Sequence, residues 1–273
     1  GFLSKLADPE FGIITNIGKA HLEGFGSYET VKATKNELYE HIHSGNGTLI
    51  VNADDEVLMN LSKAVEHRLT YGTSGKVKGS FSENQGLLNV DWTFENGTKH
   101  HVKTQLFGAF NFYNVMAAIA AGCLFKVEEP EINAALESYV SENNRSQIIQ
   151  TKNNTIYLDA YNANPSSMSM ALDFFKHLEA DHKIAILGDM FELGDVSHKE
   201  HREILNKLAL ISMDEIIMVG EEYYQHREYF QNFRFFKSTE DLMKWIAKHP
   251  SNNSSILVKG SRGMQLEQLL DHL

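Results

Sequence analysis

Residues 12–27 read Gly12-Ile13-Ile14-Thr15-Asn16-Ile17-Gly18-Lys19-Ala20-His21-Leu22-Glu23-Gly24-Phe25-Gly26-Ser27. The first six are apolar enough for a buried strand, predicted over 12–17, and the remainder form a polar, glycine-bearing loop with His21 and Glu23. An open α/β sheet places its ligand chemistry on such a loop, at the carboxyl end of a strand. A helix is predicted beyond it, with Val31, Leu38 and Ile42 near one side. Lys35 sits mid-helix, where its amine can turn back toward the strand end. Residue type alone assigns no role to either group, since most helical lysines are solvated charge.

Working outward, 273 residues suffice for two domains with cores, and 42% hydrophobic with 22% charged residues is ordinary for a soluble globular protein. A net charge of -11 argues against a nucleic-acid partner or an anionic membrane surface, both of which want clustered Lys and Arg. The single cysteine, Cys123 in an Ala-rich apolar helix, excludes an internal disulfide and fits a reducing compartment. No secretory signal opens the chain, and the longest apolar run, 115–125, is too short for membrane insertion, so a cytoplasmic location is expected. The opening segment from Gly1 to Pro9 reads like a domain interior, which points to a fragment of a longer protein.

The predicted fold class is α/β in two domains, 1–142 and 143–273. The first should hold a mixed sheet: a strand at 48–52, a turn at 53–56, a helix at 57–65, then strands at 77–81, 87–94 and 99–106. Leu88, Val90, Trp92 and Phe94 alternate onto one face, and Asn96-Gly97 signals a two-residue hairpin covering a sheet edge. Helices follow at 112–125 and from Pro130 to about 140. The polar run 141–146 marks the boundary. Beyond it strands at 156–158, 183–187, 215–219, 234–236 and 256–259 alternate with helices at 166–178, 199–210, 222–230, 239–248 and 264–273. That rhythm requires right-handed crossovers and a Rossmann-like parallel sheet.

Three loops at the carboxyl ends of these strands carry chemistry: Asp159-Ala160-Tyr161-Asn162-Ala163-Asn164-Pro165-Ser166-Ser167, Gly188-Asp189-Met190-Phe191-Glu192-Leu193-Gly194 and Lys259-Gly260-Ser261-Arg262-Gly263. Asp159 can accept from ribose hydroxyls, and Asn162 and Asn164 can donate to phosphate or carboxylate oxygens. Ser166 is placed to cap the helix that Pro165 begins. Plainer readings stand beside these: capping for Ser166, turn formation for Asn164 and Pro165, surface charge for Lys259 and Arg262. No Gly-x-x-x-x-Gly-Lys-Ser/Thr occurs, and Gly24-x-Gly26 lacks the lysine of a phosphate loop.

Asn16-x-x-x-Ala20-His21-Leu22-Glu23-Gly24-Phe25-Gly26-Ser27 with Thr34-Lys35-x-Glu37-Leu38 resembles the central domain of the ATP-dependent Mur ligases, most closely the MurF type. Asp-x-Tyr-Asn-Ala-Asn-Pro-Ser-Ser-Met from Asp159, Gly-Asp-Met-x-Glu-Leu-Gly from Gly188, a later His201 and Val-Lys-Gly-Ser-Arg-Gly from Val258 are similar to its C-terminal domain. The resemblance covers essentially the whole chain. It implies a truncated central domain whose phosphate loop, and a sugar-nucleotide domain, would lie before Gly1.

The resemblance also implies roles. His21 would bind Mg2+, and Lys35 would be carbamylated and help hold metal, the two serving as the catalytic pair. Carbamylation turns a cation that repels Mg2+ into an oxygen donor that hard cations prefer. Asn111 and Asn114 would contact the nucleotide base region, although Phe110 stands where a histidine is usual. Arg145, Asp159, Asn162 and Lys259 would complete the ATP contacts, with Asp159 on the ribose. Tyr161, Asn164, Asp189, Glu192, Ser261 and Arg262 would face the substrates.

The implied reaction belongs to peptidoglycan synthesis: ATP-dependent joining of D-alanyl-D-alanine to UDP-N-acetylmuramoyl-tripeptide through an acyl phosphate, by a protein that is monomeric at full length. The fragment is expected to be inactive alone. Alternatives are another Mur or folylpolyglutamate-type amide ligase, or a non-catalytic binding module that lost the phosphate loop.

Overall fold

The computed structural model describes residues 1–18, 22–95 and 97–273, and the chain divides into two compact units that meet in sequence at Tyr139 and Val140. In the first, α1 (Phe2–Ala7) precedes β1 (Phe11–Ile13), α2 (Leu22–Phe25) and α3 (Tyr28–Ser44). Next come β2 (Thr48–Asn52), α4 (Glu56–Leu61), β3 (His67–Gly72), β4 (Val77–Asn84), β5 (Leu87–Phe94), β6 (Thr98–Phe107), α5 (Phe112–Leu124) and α6 (Glu129–Ser138). The six strands stand in chain order in one sheet. Pairing is parallel from β1 to β4 and antiparallel from β4 to β6.

Burial follows the side-chain period. β2 is apolar on both faces because helices cover both: Leu49 and Val51 pack with Tyr39 and Ile42 of α3, while Ile50 joins Tyr71, Val90 and Trp92 beneath Val115, Met116 and Ile119 of α5. β5 alternates, with Leu88, Val90 and Trp92 buried. The hairpin between β5 and β6 is present, with Phe94 opposite Thr98; Asn96 of its turn lies outside the described residues.

Two expectations need correction here. The first strand ends at Ile13 rather than 17, because the Asn16 carbonyl accepts from the Lys35 amine at 2.8 Å instead of from a neighbouring strand. β3 is absent from the sequence reading: His67-Arg68-Leu69-Thr70-Tyr71-Gly72 shows too little alternation, and its place between β2 and β4 buries Leu69 and Tyr71.

The second unit runs β7 (Gln147–Gln150), β8 (Asn154–Asp159), α7 (Pro165–His177), β9 (Lys183–Gly188), α8 (Ser197–Leu208), β10 (Glu215–Val219), α9 (Glu221–Tyr224), β11 (Arg234–Phe236), α10 (Thr239–Ile246) and β12 (Ser254–Lys259). Its sheet has the order β11-β10-β9-β12-β8-β7, parallel except for the edge strand β7. β12 enters between β8 and β9, so the connections from β8 to β11 advance in one direction and the last one, from β11, returns across β10 and β9.

Four local expectations change. β7 adds a short antiparallel edge on β8 that the sequence reading lacks. The helix expected over 222–230 closes after α9, and that expected over 264–273 is 3-10 helix at Leu266–His272, entered through left-handed Gln265. Asn164, not Ser166, caps α7: its side chain accepts from Ser167 N–H at 2.9 Å while the Ser167 hydroxyl accepts from Asn164 N–H at 3.2 Å. Among the described residues no helix is long and apolar enough to cross a membrane.

Candidate active-site residues

In the first unit, Ser27 starts α3 by accepting from Thr30 N–H at 3.1 Å. Lys35 follows two turns later on the side facing the end of β1. Partial burial holds its amine below the usual lysine range. His21, its expected partner, lies outside the described residues. Among the described residues no group of three or more His, Cys, Asp or Glu is arranged to hold a metal ion.

Asn111 and Asn114 come together at the start of α5. The Asn114 amide donates to Asn111 Oδ1 at 3.1 Å, and Asn111 Nδ2 donates to the Phe107 carbonyl at 2.9 Å. Asn111 is therefore a buried brace, and Asn114 carries the exposed end. Phe110 packs edge-on to Phe107, an apolar contact where the resemblance led one to look for histidine.

Asp54, expected only in a turn, is a polar anchor for the residues after β3. It accepts from Thr73 N–H at 2.6 Å, Ser74 N–H at 3.2 Å and the Ser74 hydroxyl at 2.6 Å. Burial alone would raise its carboxyl, and these bonds outweigh it and hold the group low. The Tyr113 hydroxyl is pushed up, by burial first and then by Asp54. The available signal was the Asp54-Asp55 pair at the carboxyl end of a buried strand.

In the second unit, Lys259 and Asp159 end neighbouring strands in register, and Lys259 Nζ donates to Asp159 Oδ2 at 2.5 Å. The lysine side chain is 1% exposed and the carboxylate 17%. Lys259 also reaches the Asn162 carbonyl at 3.3 Å, and Ser146 N–H meets Asp159 Oδ1 at 3.3 Å. Arg145 lies 3.7 Å from the centre of the Tyr161 ring and Arg262 5.2 Å from it. Thus Arg145, Asp159, Tyr161, Asn162, Lys259 and Arg262 form one cluster. Asn162 folds its own Oδ1 onto Ala163 N–H at 2.9 Å, and Asn164 is occupied by the α7 cap.

Asp189 and Ser261 belong to an adjoining group. Asp189 is buried and accepts from Glu222 N–H and Tyr223 N–H, each at 3.0 Å. Burial raises its carboxyl to about 6 in spite of those bonds, with Glu222 and Glu221 adding to the rise. Ser261 accepts from Phe191 N–H at 2.8 Å and donates its own N–H to the Asp189 carbonyl at 3.1 Å. Glu192 is exposed in the left-handed region at φ 61°. A cleft of about 570 Å³ opens at the ends of β9 and β10, lined by Asp189, Phe191, Glu192, Gly220, Glu222 and Lys237 among others.

Comparison with known proteins agrees with this architecture. The family model described as Mur ligase middle domain matches residues 1–122, and that described as Mur ligase, glutamate ligase domain matches residues 144–262. The UDP-N-acetylmuramoyl-tripeptide--D-alanyl-D-alanine ligase of Bacillus subtilis is 31% identical over 99% of this chain and 60% of its own length. A crystal structure of MurF from Acinetobacter baumannii superposes with a TM-score of 0.87 at 28% identity, over 99% of this chain and 60% of that one. The Thermotoga maritima MurF ligase in complex with ADP shares the fold, with a TM-score of 0.83 at 22% identity over 99% of this chain and 62% of that one.

A mixed sheet followed by a parallel, Rossmann-like sheet, with polar loops at the carboxyl ends of the strands, is the architecture of the middle and C-terminal domains of a Mur-type ligase. This chain belongs to the Mur ligase family, and the relatives named above are of the MurF type. It spans about 60% of the length of the curated relatives it matches.

Proposed function

We propose that this chain supplies the middle and C-terminal domains of a cytoplasmic, monomeric ligase that joins D-alanyl-D-alanine to UDP-N-acetylmuramoyl-tripeptide. In such a reaction the tripeptide carboxylate is activated by ATP as an acyl phosphate, and the dipeptide amine displaces phosphate through a tetrahedral intermediate. Mg2+ would supply charge neutralisation at the phosphoryl oxygens.

The observation that carries this reading is the Lys259–Asp159 pair with Arg145 and Tyr161 around it. Lys259 holds the carboxylate in place, while the exposed part of Asp159 keeps acceptor capacity for a ribose hydroxyl. Arg145 and Arg262 bracket Tyr161 and supply positive charge toward nucleotide or substrate anions. Asn114 would contact the base with Asn111 bracing it, and Asp189, Glu192, Ser261 and Arg262 would line the way to the substrates.

Lys35 fits its assigned chemistry. An ammonium cannot ligate Mg2+, but a half-buried amine held below its ordinary pKa has a larger neutral fraction, which is the form that takes up CO2. The carbamate oxygens, with the His21 imidazole, would then hold the metal.

Two measurements test the reading. In a ligase assay with the protein at its full natural length, D-alanyl-D-alanine should be the preferred acceptor; preference for a single amino acid or for glutamate would move the protein to another branch of the family. This chain alone should show no turnover, and calorimetry should show ADP binding that weakens in Asp159→Ala. Equal ADP affinity in the two would remove Asp159 from the nucleotide site.

A further inference from the structure

His201 has no part in the chemistry above, yet it holds the 188–194 loop of the second unit through the Met190 amide, between the two residues that bridge to Ser261. It lies on the first turns of α8, 0% exposed. Its Nδ1 is 2.8 Å from the Ser197 carbonyl and must carry the proton that this oxygen accepts. Its Nε2 accepts from Met190 N–H at 2.9 Å, so that nitrogen must be bare. The two contacts together define a neutral imidazole with one tautomer.

The next backbone amide continues the connection. Phe191 N–H donates to Ser261 Oγ, and Ser261 N–H returns to the Asp189 carbonyl, so the loop after β9 and the loop after β12 are joined on either side of Met190. The Asp189 carboxylate meanwhile takes the amides of Glu222 and Tyr223, and Ser197 Oγ donates to Glu222 at 2.8 Å. Tyr223 closes over the imidazole edge-on, with ring centres 4.6 Å apart. A buried backbone N–H left without its acceptor is destabilised, so removing the imidazole acceptor favours local opening of this loop.

We propose that His201 is a positioning residue: it pins the 188–194 loop to α8 through the Met190 amide, keeps Asp189 and Phe191 where they bridge to Ser261 of the 259–263 loop, and so sets the geometry in which Asp189, Glu192 and Arg262 meet the substrates. The functional half of this statement rests on the ligase reading; the pinning does not. A core histidine serving only to fill space would be replaceable by any side chain of similar volume. A positioning histidine would be replaceable only by one that keeps the acceptor.

Amide hydrogen exchange on the full chain decides between them, using His201→Gln, whose amide oxygen can stand near the Nε2 position, and His201→Phe, which keeps the volume. Exchange at Met190, Phe191 and Ser261 should accelerate about tenfold or more in His201→Phe and stay near the parent rate in His201→Gln, with Ile156 and Leu158 unchanged in both. Nitrogen NMR of the parent imidazole should show a protonated Nδ1 and a bare Nε2. Equal exchange in the two variants, uniform acceleration throughout the unit, or a protonated Nε2 would overturn the proposal. Titration with D-alanyl-D-alanine separates the two claims: if it perturbs no loop amide in the parent, the substrate assignment fails while the exchange result still decides the role of His201.

Discussion

Lys259 and Asp159 face each other as register partners on adjacent parallel strands, and their side chains form an ion pair with the lysine almost wholly out of water. Such a pair holds the β8 and β12 loops together where the last strand of the chain is inserted beside the first parallel one. Desolvation makes its net contribution modest, but breaking it leaves an uncompensated buried charge.

A double-mutant cycle should expose that asymmetry. Asp159→Asn and Lys259→Met should each destabilise the chain by about 3 kcal/mol in urea denaturation, and the double variant should cost clearly less than their sum. Strict additivity would show that the pair is not coupled.

Two buried groups give the second unit opposite responses to pH. The Asp189 carboxyl is raised to about 6 in the folded chain, so its contribution to stability is present below the ordinary value near 3.8 and is lost as pH rises through 6. His201 is lowered by burial, so its contribution is present above 6.5 and is lost as pH falls through the folded value. Denaturation midpoints followed from pH 4 to 7 should therefore lose the falling component in Asp189→Asn and the rising component in His201→Gln. The slope is the readout, since both substitutions also shift the midpoint.

Lys35 should take up labelled carbon dioxide. A carbamate carbon signal should appear in the parent chain supplied with labelled bicarbonate, grow from pH 7 to 9 as the neutral amine increases, and be absent in Lys35→Ala. Identical spectra for the two proteins would remove Lys35 as a metal-ligand precursor.

The cap of α7 predicts a contrast between neighbours. Asn164→Ala should cost about 1 kcal/mol, because it removes the acceptor for Ser167 N–H, and Ser166→Ala should be close to neutral. Thermal unfolding of the two variants measures the difference, and a larger effect at Ser166 would reverse the assignment.

Much of this organisation was readable from residue order. β2, β5, β10 and β11 have the predicted bounds, because their apolar runs and turn signals are local. β3 and β7 were not readable: the few apolar residues of β3 are buried by neighbouring strands rather than by their own pattern, and β7 is a four-residue edge whose two isoleucines are only partly covered. The 3-10 ending after Gln265 escaped because helical spacing does not register one left-handed residue. Among the functional candidates, the loop motifs singled out Asp159, Asp189 and Lys259 for their place at strand ends. They did not reveal that Lys259 spends its charge on Asp159, that Asp189 serves the start of α9, or that Asp54 and His201 hold loops in place.

The residue order by itself determined the alternation of strands and helices and the polar loops at their ends, because periodicity and turn chemistry act over a few neighbours. Only the tertiary structure decided which of those polar groups are braces and which remain open to a ligand. That choice depends on pairs as distant in sequence as Asp159 and Lys259, brought side by side by a parallel sheet whose register no local pattern encodes.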